Sequence, residues 1–301
     1  MPPSSRFPFH QLVRPRLTAN VMSTQVVVAA ALASIGAYAF YTRNYSGKPV
    51  FKSLGFHSLR LHSSELVSHN VKRLRFELPD ANTPAGLPLT SALLTFSFPN
   101  GGWKPVLRPY TPVNDLDEPG FIELMVKHYP GGAQSTHIHS LKPGDKLSFM
   151  RIPGYNWTPN KHSHVALIAG GAGITPMYQL TRGILKNPDD KTRITLVWGV
   201  NTDDDIFLRD QFAAMERQFP GRFKAVYVVA TPDAASSHPK GFVTKELLEK
   251  AGLSAKAGKD SDIKVLICGP EPMEKALKGA WRGKPGILSE LGYTRDQIHN
   301  F

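Results

Sequence analysis

A chain of 301 residues, 41% hydrophobic and 20% charged, is long enough for one large or two ordinary domains and is not composed like a disordered segment. Its formal net charge of +12 is uneven, because seven of the 36 basic residues precede the first acidic one, Glu65, and the rest of the chain nets only +5. That mild excess suits an acidic protein partner, the lack of a Lys/Arg stripe with interleaved aromatics argues against nucleic acid, and a lone Cys268 excludes an internal disulfide, a cysteine zinc cluster and an iron–sulfur site.

The amino terminus, residues 1–50, forms a region of its own. No charge occurs between Leu17 and Thr42, and Val26–Tyr41 is apolar except for Ser34 and Gly36. A helix over this run is long enough to cross a hydrocarbon layer of roughly 30 Å, with Tyr38, Tyr41 and Arg43 as interfacial residues at one end. Three readings compete: a mitochondrial targeting segment running into a single anchor, a secretory signal cleaved near Ala37-Tyr38-Ala39, or a soluble core helix. Basic, acid-free residues 1–20 favour the first. Residues 43–55 then read as a linker.

Short alternating stretches follow at Ser58 to Ser63, Val71 to Leu78, Leu94 to Phe98, Gly120–Tyr129 and Asp145–Met150, with one helical interruption at Gln134–Leu141. Gly/Pro turns between them predict a small antiparallel barrel or sandwich over residues 51–158. From residue 159 to 301 the texture changes. Buried-strand runs at Val165–Ala169, Ile194–Trp198, Phe223–Val229 and Ile263–Cys268 alternate with helical patterns reaching Leu185 and spanning Ile206–Phe219 and Thr244–Ala251. This predicts a parallel α/β domain whose ligands sit at the carboxyl ends of the strands.

Four motifs carry chemistry. In Val165–Met177 a buried strand breaks into Gly170, Gly171, Ala172 and Gly173, and Thr175-Pro176-Met177 opens a helix. Bare backbone N–H groups at a helix start make a phosphate seat, and glycine leaves room for a pyrophosphate; a tight turn without a ligand is the plain alternative. In Leu107-Arg108-Pro109-Tyr110-Thr111-Pro112 an arginine stands beside a ring and a hydroxyl, which suits a phosphate and a flat cofactor as well as an ordinary proline turn. Val126-Lys127-His128-Tyr129 delivers a cation and an aromatic, and Gly131-Gly132-Ala133-Gln134-Ser135-Thr136 opens another helix, a second phosphate seat or a plain capped helix. Finally, Cys268-Gly269-Pro270-Glu271-Pro272-Met273 ends a buried strand; the thiol is either a small core hydrophobe or a neighbour of a nicotinamide, and no adjacent histidine activates it as a nucleophile.

Taken together and in this order, Arg-Pro-Tyr-Thr, Gly-Gly…Ser, Gly-Ala-Gly-Ile-Thr-Pro and Cys-Gly-Pro-x-Pro-Met resemble the ferredoxin–NADP reductase superfamily, and within it the NADH–cytochrome b5 reductases of the fungal mitochondrial type, over about residues 50–301. The resemblance implies an FAD-binding antiparallel β-barrel, then an NADH-binding parallel-sheet domain, behind a membrane-anchor helix. It implies that Arg108, Pro109, Tyr110, Thr111, Val126, Lys127, Tyr129, Gly132, Gln134, Ser135 and Thr175 meet FAD. It likewise implies that Gly170, Gly171, Gly173, Thr175, Pro176, Met177, Cys268, Gly269, Pro270 and Met273 receive NADH. Thr111, Thr175 and Cys268 would stand nearest the hydride step, and cytochrome b5 or a similar acidic heme protein would take the electrons, guided by basic residues such as Lys104. With the basic amino terminus, the resemblance implies a single-pass anchor in the mitochondrial outer membrane, with an additional processed intermembrane-space form. The other reading is an NAD(P)H-dependent flavoprotein with a different acceptor, such as a quinone or free flavin, and a nucleotide-binding module without turnover is a third.

Three departures from the family pattern stand out. Ala133-Gln134 replaces Lys-Met, Met150-Arg-Ile-Pro-Gly154 lacks Gly-Pro after the last barrel strand, and Ala230-Thr231 stands where an acidic residue often rejects the 2′-phosphate of NADPH. Asp203, Asp204 and Asp205 are the substitutes nearest in sequence for that rejection.

Overall fold

The computed structural model describes residues 49–254, 262–279 and 283–301. The targeting segment and anchor helix expected in residues 1–48 lie outside the described residues. Among the described residues no helix is long and apolar enough to cross a membrane.

The first half of the described chain is strand-rich. Strands β1 (His57–Ser68), β2 (Val71–Glu77), β3 (Ala92–Ser97), β4 (Val106–Tyr110), β5 (Phe121–Lys127) and β6 (Lys146–Ile152) form one antiparallel sheet in the order β4-β3-β6-β1-β2-β5. Alternation drives this: in β2, Leu74 and Phe76 are buried in the core of this sheet while Val71 faces the other core, and in β3 Leu93, Thr95 and Ser97 are buried. Phe76 and Phe149 meet edge to face at 5.0 Å in a core that includes Phe51, Leu59, Leu61, Ile122 and Leu124.

The sheet is not the closed barrel expected from the strand spacing. Its ends, β4 and β5, are not hydrogen-bonded to each other. Pro109 in β4 has no N–H to donate, and helix α1 (Ala133–Ser140) packs against both end strands where closure would have to occur.

The second half is a five-stranded parallel sheet, ordered β11-β10-β7-β8-β9, from β7 (His164–Gly170), β8 (Arg193–Val200), β9 (Phe223–Val229), β10 (Ile263–Cys268) and β11 (Ile298–Asn300). Helices α2 (Ile174–Lys186), α3 (Arg209–Gln218), α4 (Lys245–Lys250), α5 (Glu271–Lys278) and α6 (Ile287–Glu290) surround it. Every residue of β7 is buried, as a strand covered on both faces requires. Val165, Leu167 and Ala169 face one core with α2 and α3, while Ala166 and Ile168 face another with Val265, Ile267 and Leu288. The first of these cores also takes in Val71, Val113 and Met125, so the two sheets share apolar packing. The alternating pattern did not show β11, a three-residue strand that pairs with β10 from Val265↔Ile298 onward.

Candidate functional site

The carboxyl ends of β7 and β10 lie side by side, paired as far as Cys268↔Ala169. Beyond them the two loops approach so closely that side chains would not fit. A Cβ on Gly173 would lie 2.2 Å from the Cys268 carbonyl oxygen; one on Gly170 would lie 2.7 Å from Pro270 Cδ and one on Gly269 2.4 Å from Met273 Cε. Gly173, which meets backbone, is therefore required by the packing of the two loops on each other before any ligand is considered, whereas at Gly170 and Gly269 the nearest atoms belong to the side chains of Pro270 and Met273. Gly171 differs: it has φ 51° and space around it, and the Trp198 indole N–H in β8 donates to its carbonyl at 3.0 Å. Trp198 is fully buried, and a buried indole needs an acceptor, a support that the sequence did not signal.

The antiparallel sheet brings its own residues to this loop. The Tyr129 hydroxyl lies 3.7 Å from where a side chain on Gly171 would begin, and the Ala172 backbone N–H faces it. Burial, opposed by that N–H, leaves the Tyr129 hydroxyl harder to ionise than usual, with Asp205 and Cys268 adding to the effect. Tyr110 is pushed up to about 12 by burial, against the pull of the neighbouring Arg108 and with a contribution from Tyr129. So β4, β5 and the β7 and β10 loops converge around two tyrosines.

An anion would be received here by groups that, among the described residues, face no carboxylate. Arg108 is exposed; its guanidinium donates to the Leu107 carbonyl at 2.7 Å and is in no ion pair among the described residues. Helix α1, which packs against β4, begins at Gly132 with no side chain capping its first turn. Uncapped amides beside an unpaired guanidinium fit a pyrophosphate, and the exposed ring of Tyr129 fits the face of a flat cofactor. Ser135 accepts from the Tyr129 N–H at 3.2 Å and donates to the Gly132 carbonyl at 3.1 Å, which folds the strand end onto the helix start.

Other expected cofactor residues have structural occupations. Gln134 points into the sheet, where it accepts from Ser97 at 2.6 Å and donates to Thr95 at 2.8 Å, so only its backbone faces the helix start. Val126 lies in the core and its carbonyl is 2.7 Å from His139 Nε2. Pro176 and Met177 are buried, Met177 wholly. Lys127 is 8% exposed and donates to Asp205 Oδ1 at 2.6 Å, across to the parallel sheet.

Thr111 and Thr175 are both buried, at 8% and 7% exposure. Thr175 donates to the Ala172 carbonyl at 3.3 Å. One turn further along α2, Gln179 donates to the carbonyls of Pro112 (3.1 Å) and Ser91 (3.4 Å), which ties the helix to the segment that carries Thr111. The buried Gln179 Oε1 has no partner among the described residues. Arg182, another turn on, donates to the Val113 carbonyl at 2.6 Å. None of these links between the sheets was visible in the sequence.

Cys268 is half-buried, and burial with the nearby Glu274 pushes its thiol up to about 12. It is a neutral thiol throughout the neutral range, which agrees with the expectation that it is no nucleophile. The acidic triad expected to reject a 2′-phosphate is largely occupied: Asp203 accepts from the Asp233 N–H (2.9 Å) and Ser236 Oγ (2.7 Å), and Asp205 holds Lys127, leaving Asp204 exposed.

The family model of an oxidoreductase FAD-binding domain matches residues 58–154, and that of an oxidoreductase NAD-binding domain matches residues 167–279. NADH-cytochrome b5 reductase 2 of Pyricularia oryzae is 51% identical over 255 residues, covering 82% of this chain and 76% of its own; that of Emericella nidulans is 47% identical, covering 82% and 78%. Among solved structures, the cytochrome b5 reductase domain of Ulva prolifera nitrate reductase is 28% identical with a TM-score of 0.73, covering 84% of this chain and 100% of its own. On these grounds the chain belongs to the family of NADH–cytochrome b5 reductases.

Proposed function

We infer that this chain is an FAD-dependent oxidoreductase that takes electrons from NADH and passes them to cytochrome b5. The observation that carries the reading is the convergence just described. An unpaired Arg108 and an uncapped helix start lie on the antiparallel sheet, and the glycine loops of the parallel sheet meet them at Tyr129. When bound, FAD accepts a hydride from NADH and can release the two electrons singly to a one-electron heme acceptor. The residues of the chain bind and orient. Arg108 and the amides of Ala133 to Ser135 would hold the pyrophosphate, and Tyr110 and Tyr129 would pack on the cofactor. Thr111 and Thr175, both buried, would help exclude water beside the reacting rings. No acid–base dyad is needed, because hydride transfer is governed by how closely two rings are held. The full-length protein, purified with its flavin, is expected to bleach on anaerobic addition of NADH; a protein that binds no FAD would remove the assignment.

We propose further that residues 1–50 place the enzyme in the mitochondrial outer membrane through a single helix. Support comes from the uncharged run Leu17 to Thr42 behind an acid-free basic segment. Extraction of the full-length protein from mitochondrial membranes by alkaline carbonate, without detergent, would contradict the anchor.

A further inference from the structure

The seam between the two sheets is hollow on one side. A cleft of about 860 Å³ runs between the β1–β2 hairpin, including Ser68 and His69, and the turn carrying Asp203 and Asp204; none of the residues expected to bind either cofactor lines it. What crosses the seam at this corner is a buried polar knot. Asp205 Oδ1 accepts from Lys127 Nζ at 2.6 Å and from Asn70 Nδ2 at 3.2 Å, and His69 Nε2 lies 3.7 Å away. The other carboxylate oxygen accepts from the Thr202 N–H at 3.3 Å, closing a capping box that fixes the acid on the turn after β8. Lys127 and Asp205 are 8% and 3% exposed, so neither charge is shared with bulk water.

A buried ion pair of this kind contributes little net stability, since the desolvation of both charges offsets their attraction; in some proteins such a pair fixes geometry instead. Here the geometry is specific. Lys127 is the last residue of β5, and two residues on, Tyr129 meets the Ala172 N–H of the glycine loop. We propose that Asp205 is a positioning residue for hydride delivery: by holding Lys127 across the seam it fixes the end of β5, so that Tyr129 and the glycine loop keep the two cofactor-binding surfaces in register. This rests on the NADH-to-flavin reading above. Asp205 itself touches no reacting atom. It acts through Lys127, and its neighbour Asp203, two residues earlier, ties the same turn to the loop containing Asp233 and Ser236.

The test is anaerobic stopped-flow reduction of the full-length, flavin-loaded protein by NADH, with Asp205→Asn, and Lys127→Met combined with Asp205→Leu. The first variant keeps the shape and removes the charge. The second leaves no buried charge unpaired, so it remains informative if the first fails to accumulate folded. The rate at saturating NADH, per bound flavin, is expected to fall at least about tenfold in both and to a similar extent, with NADH affinity within a few-fold, as small misplacements of reacting groups do. A strut that served stability alone would lower the melting temperature of Asp205→Asn and leave the rate per flavin unchanged. Either variant running at the wild-type rate overturns the proposal. The wild-type protein is the control for the underlying reading: if NADH fails to bleach it, the electron-transfer assignment is at fault and not the role of Asp205.

Discussion

Gly173→Ala separates two explanations of the glycine loop. If the glycines serve only to admit a pyrophosphate, the variant folds normally without NADH and binds it poorly. The structure says otherwise. The new Cβ would stand 2.2 Å from the Cys268 carbonyl oxygen, 2.6 Å from its carbonyl carbon and 3.0 Å from the Gly269 nitrogen. All three are backbone atoms of a strand end paired to β7, so no side-chain rotation relieves the clash, and the loops must part by roughly 1 Å. Overpacking of this kind costs about 1–3 kcal/mol, and a mid-range loss of about 2 kcal/mol lowers the melting temperature of a domain of this size by about 4–8 °C. The assay is thermal unfolding of the flavin-loaded protein without NADH, alongside Gly171→Ala. That second substitution meets only the Tyr129 hydroxyl at 3.7 Å, but places a side chain at φ 51°, a strain of about 1–2 kcal/mol. A Gly173→Ala protein that melts with the wild type in the absence of NADH, and differs only in binding it, would refute the reasoning.

Arg108→Ala is expected to weaken FAD binding by roughly 10- to 100-fold, the worth of one charge-assisted contact of about 1.5–3 kcal/mol, read by flavin release on dilution. Trp198→Phe removes one of the two donors to the Gly171 carbonyl, leaving the Ile174 N–H, and should destabilise the protein by about 0.5–1.5 kcal/mol, measured by denaturant unfolding. Iodoacetamide should label Cys268 slowly at pH 8 in the folded protein and quickly after unfolding, because the thiolate is suppressed. The same raised thiol makes stability fall as pH climbs from its ordinary value of 9.0 toward about 12, since the folded state keeps a proton that the unfolded chain has lost. Chemical unfolding at pH 8 and pH 10.5, compared with Cys268→Ala, checks the sign.

Much of this organisation was legible in the sequence because it is local. The change from period-two alternation to buried runs marked where the antiparallel sheet gives way to the parallel one, and the glycine and proline clusters marked the strand ends that converge at Tyr129. The purpose of those glycines was only half legible: their spacing announces a tight loop, but that Gly173 leans on Cys268 is a contact between segments 95 residues apart in sequence. Lys127 shows the same limit. Nothing in the sequence around this strand-end lysine points to Asp205, 78 residues on, which holds it. Closure of the sheet was likewise not decided by strand spacing, because it depends on α1 lying across β4 and β5 and on the donor missing at Pro109. The partners of the Gln134 side chain, Thr95 and Ser97 inside the sheet, lie 39 and 37 residues away and were not legible either.

The central claim is tested most directly by anaerobic mixing of the full-length, flavin-loaded protein with NADH, followed by oxidised cytochrome b5 in a second mix. The account expects the flavin band to bleach in the first step and the heme to be reduced in the second, two hemes for each flavin reoxidised. A flavin that bleaches but leaves the heme oxidised would contradict the acceptor, and a flavin that NADH does not bleach would contradict the account as a whole.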